Sequence, residues 1–515
     1  MKCQWILFMC AVLLGVANGL ASPSPAPGFH FRPAKNWMNG PMYYKGLYHL
    51  FYQYNPKSTE WGDIVWAHSV SRDLVSWRAL EPAIKPSKEF DVKGCWSGSA
   101  TVLPSGVPVL LYSGIDAHNN QVQNIAYPAN ASDHLLRNWY KPNYNPVITA
   151  GHGVNASAFR DPTTAWLGPD KLWRVVVGSR DGSEGLAVLY RSRDLKKWFK
   201  ARHMLHSGST GMWECPDFYP VAVAGGGRDY RRGVDVAELQ DRVVAKEVKY
   251  VLKRYDYYTV GSYDHATDKY VPSRGYADTD LGLRYDYGDF YASKSFYDPV
   301  KRRRIAIPRK ICLSPTGDQL IQWPVEELEA LRHNHVNLTS RVVKGGHHFE
   351  VTGFKSVQSD VEVVFELTDM AAAERFDPAW RRDAQALCAR LGADVKGGLG
   401  PFGLYTLASR DLGERTAVFF RVFKAQNSNH VVVMCHDATR SSYNHTYRAF
   451  VNMGIDHSVV ESFGAGGRAC ILSRVYPSRA VGDEAGLYVF NNGETDVNVV
   501  KLNAWEVRSP KINVP

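Results

Sequence analysis

Cysteine is scarce for a chain of this length. There are 8 in 515 residues, and with Cys3 and Cys10 in the first stretch only Cys95, Cys215, Cys312, Cys388, Cys435 and Cys470 remain. That number excludes a disulfide scaffold. Helical periodicity is as sparse, its clearest instance running from Val325 to Arg332, which points to an all-β chain. After residue 21 no run is apolar enough to cross a bilayer. No nucleic-acid-binding module surrounds the one short basic cluster, Lys301-Arg302-Arg303-Arg304. Membrane-spanning and nucleic-acid-binding functions are therefore set aside, and no membrane partner is expected once the leader described next is removed.

What the chain does have begins with Met1-Lys2, an apolar run from Trp5 to Val16 and small residues at Ala17, Gly19 and Ala21, which reads as a signal peptide over residues 1–21. A proline-rich leader follows over 22–29. Sequons at Asn130, Asn155, Asn337 and Asn444 agree with export of a soluble, glycosylated protein. The length suggests two compact units, and 45% hydrophobic residues suffice for their cores. The 14 Trp and 28 Tyr exceed what packing alone demands and offer platforms for sugar rings. A net charge of +10 fits either an anionic polymer as partner or a solvated basic surface.

A repeat gives the architecture. Ser71-Arg72-Asp73-Leu74-Val75-Ser76-Trp77 recurs as Ser192-Arg193-Asp194-Leu195-Lys196-Lys197-Trp198, with a looser copy from Ser132 to Trp139. Strand-like runs precede the two close copies, and further short strands are expected at Leu47 to Tyr54, Val107 to Tyr112, Leu172 to Val177 and Tyr257 to Tyr263. A recurring strand, polar turn and packing tryptophan is the pattern of propeller blades, expected over 30–335. Longer alternating strands, such as Asp360 to Leu367 and Thr416 to Phe423, suggest an antiparallel β-sandwich over 336–515; Cys388 and Cys435 both lie in it and could pair, a pairing the sequence alone does not establish.

Three segments set polar residues beside aromatics, the last two of them carrying acids: Trp37-Met38-Asn39-Gly40-Pro41, Phe159-Arg160-Asp161-Pro162 and Trp213-Glu214-Cys215-Pro216-Asp217. Retaining glycosidases need two carboxyl groups, one as nucleophile and one as acid and base. Trp213 beside Glu214 is expected to lower the local polarity and raise that carboxyl's pKa, as suits a proton donor. Taken together these segments resemble the plant cell-wall invertases of glycoside hydrolase family 32 along nearly the whole chain. The resemblance implies a five-bladed β-propeller followed by a β-sandwich. It implies retaining hydrolysis of the terminal β-fructofuranosyl bond of sucrose, in the cell wall, without metal or organic cofactor. Glu214 matches the general acid and base, Asp161 the carboxylate that orients fructose hydroxyls, and Trp37, Met38, Asn39, Gln53, Trp61, Trp96, Ser97 and Arg160 match pocket positions. An anionic wall polysaccharide such as pectin is the macromolecular partner that the basic balance suits.

The chain also departs from the family pattern. Members read Trp-Met-Asn-Asp-Pro-Asn-Gly-Pro where this chain runs Trp37-Met38-Asn39-Gly40-Pro41, so the aspartate that serves the family as nucleophile is missing. A second omission falls within Arg303 to Lys310 and is expected to remove part of the last blades; a third falls between Lys253 and Arg254. Three functional readings follow: an invertase, a catalytically silent sugar-binding protein that keeps the pocket, and a fructan exohydrolase.

Overall fold

The computed structural model describes residues 5–14, 31, 38–58, 61–224, 243–249, 255–275, 278–279, 281–426, 429–442 and 459–513. Two compact units result, one built on Phe31–Tyr285 and Phe290–Glu327, the other on Leu328–Pro510.

The first unit is a β-propeller of five sheets, numbered here as blades in chain order. Blade 1 holds Met38–Tyr44, Leu47–Tyr54, Val65–Ser71 and Trp77–Ile84, and the chain's end returns as Ile512–Asn513 alongside its last strand. Blade 2 holds Cys95–Val102, Pro108–Ile115, Gln121–Pro128 and Trp139–Tyr140. Blade 3 is built on Phe159–Arg160, Trp173–Asp181, Glu184–Ser192 and Trp198–Lys200. Blade 4 has Trp213–Pro220, Val243–Lys249, Asp256–Asp264 and Lys269–Pro272, and blade 5 has Phe296–Asp298, Arg303–Ala306, Arg309–Leu313 and Leu320–Pro324. Each blade is an up-and-down meander, so its turns alternate between the two ends of the strands. Middle strands such as Pro108–Ile115 are buried along their whole length because they are covered on both faces, which is why they read as unbroken apolar runs.

The sequence repeat proves to be one turn built three times. In each copy the tryptophan indole N–H donates to the carbonyl of the leucine three residues earlier: Trp77 to Leu74 at 3.1 Å, Trp139 to Leu136 and Trp198 to Leu195 both at 2.9 Å. All three leucines are buried in the left-handed region, with φ of 63°, 47° and 63°. The aspartate ahead of them holds that conformation. Asp73 Oδ1 accepts from the amides of Val75 and Ser76 at 2.9 and 2.7 Å, and Asp194 Oδ1 accepts from Lys196 and Lys197 at 2.9 Å each. Burial opposes ionisation of Asp73, but the Ser76 and Val75 amides outweigh it and hold the carboxyl below its ordinary range. Asp73→Ala is expected to cost about 1 kcal/mol at neutral pH, the usual worth of such a cap. Because the folded carboxyl titrates below the unfolded one, the native contribution is full above a pH of roughly 4 and is lost as pH falls through the folded value. Denaturant unfolding of both proteins at neutral pH and at pH 3 checks this: the gap between them should narrow in acid.

Blade 5 corrects one expectation. The omission within Arg303 to Lys310 removes no strand: Arg303–Ala306 and Arg309–Leu313 pair directly through a turn at Ile307-Pro308, and Leu320–Pro324 completes the sheet. The omission near Arg254 lies outside the described residues.

The second unit is a β-sandwich of two sheets. One runs Arg332–Val343, Val497–Val507, Ser359–Leu367, Trp5–Leu14, Val459–Gly464 and Ala469–Arg474; the other is built on His347–Lys355, Gly486–Asn491, Phe402–Ala408, Thr416–Lys424 and His430–Asp437. Inward residues of both, among them Val363, Phe365, Leu404, Phe420, Val489 and Val499, form its core. The helical pattern at Val325 to Arg332 is a 3-10 helix, Glu326–Leu331, and the boundary expected after residue 335 falls inside the strand Arg332–Val343. A run of 12 residues that alternates weakly and is mostly exposed carries little apolar signal. Cys388, on the helix Ala384–Arg390, is bridged to Cys435 on His430–Asp437. Asn130, Asn155 and Asn337 are exposed, and Asn444 lies outside the described residues.

Candidate active site

The innermost strands of the propeller start at the residues singled out above. Gln53, Trp61, Trp96, Ser97, Arg160, Asp161 and Glu214 line one cavity of about 430 Å³. Trp37 lies outside the described residues. Of Met38 and Asn39 only the backbone is described, in strand register opposite Tyr52 and Phe51.

Asp161 and Glu214 meet across blades 3 and 4. Gly178, on the second strand of blade 3, makes that approach possible: a Cβ there would lie 2.2 Å from the Trp213 carbonyl oxygen. Both blades then place a non-glycine residue at positive φ, Asp161 at 66° and Cys215 at 42°. Such strain persists where the surroundings over-determine it, and here they do. The Asp161 amide donates to Ser113 Oγ at 2.8 Å, the Asp161 carboxylate accepts from the Cys215 amide at 2.8 Å, and Ser113 is held by Gln123 at 2.7 Å.

Arg160 ties the two acids together. Its Nη2 donates to Glu214 Oε1 at 2.6 Å, and its Nε lies 3.9 Å from Asp161 Oδ2. Burial alone would favour loss of its proton, but the Asp161 and Glu214 carboxylates hold the guanidinium charged. Tyr291 donates its hydroxyl to Glu214 Oε2, so both oxygens of that carboxyl have a partner. Trp96 lies under the guanidinium, 6.0 Å from ring centre to Cζ, and Trp61 packs edge-on against Trp96 at 5.3 Å. This leaves an aromatic wall beside the acids, with Trp61 44% exposed at the mouth.

Trp213 is not part of that wall. Its ring is buried against His206 and donates to Thr210 Oγ1 at 2.7 Å, so it does not shield Glu214, contrary to the expectation from adjacency in sequence. In a strand, neighbours point to opposite faces. Gln53 behaves differently: it is fully buried, yet neither its amide nitrogen nor its oxygen has a protein partner. Buried polar atoms in that state are rare in native proteins, and at a cavity wall they are positioned to receive a ligand's hydroxyls.

Asn39 runs directly into Gly40, with no residue at the place of the family's nucleophile. Gly40 is buried with φ of 39°, at a register shift between Asn39 and Met42, and a Cβ there would lie 3.1 Å from the Trp66 ring. Among the described residues lining the cavity, only Asp161 and Glu214 carry carboxylates. Asp63 sits at the surface paired with Lys57 at 2.7 Å, and Glu60 lies outside the described residues. The Cys215 thiol also lines the cavity, but burial and the neighbouring Asp161 charge push its pKa up, so it stays protonated and a poor nucleophile.

Sequence reasoning passed over Tyr291, Gln121 and Lys294. Gln121 accepts from the Phe159 amide and from Arg160, at 2.8 and 3.1 Å, and Lys294 pins the Pro216 carbonyl at 2.7 Å from behind. The available signal was the stretch Tyr285-Asp286-Tyr287-Gly288-Asp289-Phe290-Tyr291, as dense in acids and aromatics as the three segments that were chosen.

Comparison with known proteins agrees with this geometry. Residues 30–310 match the glycosyl hydrolases family 32 N-terminal domain and residues 327–506 the family 32 C-terminal domain. The chain is 64% identical over 535 residues to the β-fructofuranosidase insoluble isoenzyme 3 of Oryza sativa subsp. indica, covering 94% of this chain and 91% of that one. It is 53% identical to the cell wall isozyme of Zea mays, covering 97% and 92%. The crystal structure of fructan 1-exohydrolase IIa from Cichorium intybus superposes with a TM-score of 0.89 at 42% identity, covering 96% of this chain and 100% of that one. With both domains matched in order and the acids gathered in one propeller cavity, the chain belongs to glycoside hydrolase family 32.

Proposed function

We propose that the cavity takes the terminal β-fructofuranosyl unit of sucrose, with Glu214 as general acid and base and Asp161 orienting the fructosyl hydroxyls, and that the chain lacks the group that should attack the anomeric carbon. By family and relatives the protein is a β-fructofuranosidase of the wall type. The observation that carries the proposal is the pair of carboxylates sharing Arg160 while Asn39 runs directly into Gly40 with no third carboxylate at the cavity among the described residues. Retaining hydrolysis needs an acid on one side of the glycosidic bond and a carboxylate nucleophile about 5 to 5.5 Å away. With one of the two roles vacant, binding and protonation survive and glycosyl-enzyme formation does not. The leader over 1–21 is removed on export in this reading, and the charge of +10 favours retention by acidic wall polysaccharide.

Titration of the purified protein with sucrose, followed by tryptophan fluorescence, tests this. Saturable quenching is expected, lost in Trp96→Phe, with no glucose released over the same period. Absence of saturable binding would count against the pocket assignment. A second reading as fructan exohydrolase rests on the chicory structure, a form of which was solved with 1-kestose bound. Tighter quenching by 1-kestose than by sucrose would favour it.

A further inference from the structure

Away from the cavity, the outermost strands of blades 2 and 3 carry a surface that the reaction does not use. Tyr127 and Tyr140 face each other across the pairing of Gln121–Pro128 with Trp139–Tyr140, their rings stacked at 5.7 Å and 24°. The Tyr144 hydroxyl donates to that of Tyr127 at 3.3 Å, and the Lys196 ammonium lies 5.6 Å from the centre of the Tyr144 ring. Tyr140 is 52% and Tyr144 42% exposed, so one side of this array is open to solvent.

Lys196 belongs to the repeat turn ahead of Trp198. Arg193, Lys196, Lys197, Lys200 and Arg202 are all exposed around it, with Phe199 among them. The one carboxylate between residues 190 and 203 is Asp194, whose Oδ1 is engaged by the turn's own amides. Within this stretch five exposed cations stand against one carboxylate, and Lys196 among them lies against the tyrosine array.

The geometry points to a docking surface for an acidic polysaccharide of the uronic-acid type. Tyrosine faces stack on pyranose rings, and the ammonium and guanidinium groups meet the carboxylates. Neither feature alone would choose such a ligand: a neutral glycan has no use for the cations, and a bare polyanion none for the stacked rings. The assignment rests on the reading of the chain as an exported wall protein, and its test separates the two.

Affinity electrophoresis of the full chain through gels containing polygalacturonate is the measurement, with fully methyl-esterified pectin, neutral galactan and duplex DNA as parallel gels. Polygalacturonate is expected to retard the protein, and galactan and esterified pectin are not. Tyr144→Ala combined with Lys196→Glu should weaken that retention about tenfold, a loss of one well-placed contact. Lys269→Glu, the same charge change on the outermost strand of blade 4, should leave it unchanged, and Tyr144→Phe should keep it because the ring face remains. All variants should still bind sucrose, which shows them folded. Equal weakening by Lys269→Glu would mean bulk charge does the binding and would overturn this surface while leaving wall retention standing. Equal retardation by DNA through the same residues would overturn the uronate assignment. An unaltered chain that polygalacturonate does not retard would overturn the surface and wall retention together.

Discussion

Inserting Asp-Pro-Asn between Asn39 and Gly40 is expected to raise the rate of sucrose hydrolysis by roughly four to six orders of magnitude, the usual worth of a covalent nucleophile. That corresponds to about 5 to 8 kcal/mol of transition-state stabilisation. The rest of the machinery is in place. Glu214 has both oxygens engaged, by Arg160 and Tyr291, and Asp161 is held by the Ser113 hydroxyl and the Cys215 amide. Gly40→Asp alone is expected to restore nothing. Its backbone, at φ of 39°, is one that an L side chain rarely adopts, and its Cβ would press on Trp66 at 3.1 Å. A side chain there points into the packing between blades 1 and 2. Three residues are needed to carry a carboxylate out of the strand toward the cavity, and comparing the insertion with the single exchange by sucrose turnover separates these accounts.

Asp161→Asn, made in the protein carrying the insertion, is expected to lower kcat/KM by about two to three orders of magnitude while leaving the melting temperature almost unchanged. The exchange keeps an oxygen that can accept from the Cys215 amide, so the strained turn stays supported. On the role proposed for Asp161, what goes is the negative charge that would face developing positive character on the fructosyl ring. It also leaves Arg160 with Glu214 as its one carboxylate partner in the cavity among the described residues. A large fall in melting temperature would show Asp161 to be chiefly a structural clamp.

Much of this is legible in the sequence. The propeller followed from the Ser-Arg-Asp-Leu repeat because each copy encodes a complete local device: a capping carboxylate, a leucine forced to positive φ and a tryptophan that closes the turn. Two acids set among aromatics, Asp161 and Glu214, marked the cavity because inner strands bring such segments to one axis. Side-chain direction was not legible. Trp213 and Glu214 are neighbours in sequence and point to opposite faces, so proximity along the chain misjudged what surrounds the carboxyl. Gln121 escaped because its role lies in a hydrogen bond to a residue 39 positions away, which no local pattern displays, whereas the stretch that ends at Tyr291 was as dense in acids and aromatics as those chosen. Blade 5, with its four paired strands, was misjudged because an omission in sequence does not say whether strand or loop is lost.

The central claim is that Glu214 has no nucleophilic partner in this chain, and it is tested most directly by sucrose hydrolysis in the unaltered protein beside its Glu214→Gln variant. Equal rates for the two, at the level of the buffer, are the result expected. A rate in the unaltered chain that Glu214→Gln abolishes would contradict the account, because it would mean that another group, with Asp161 the first candidate, performs the attack that Gly40 cannot.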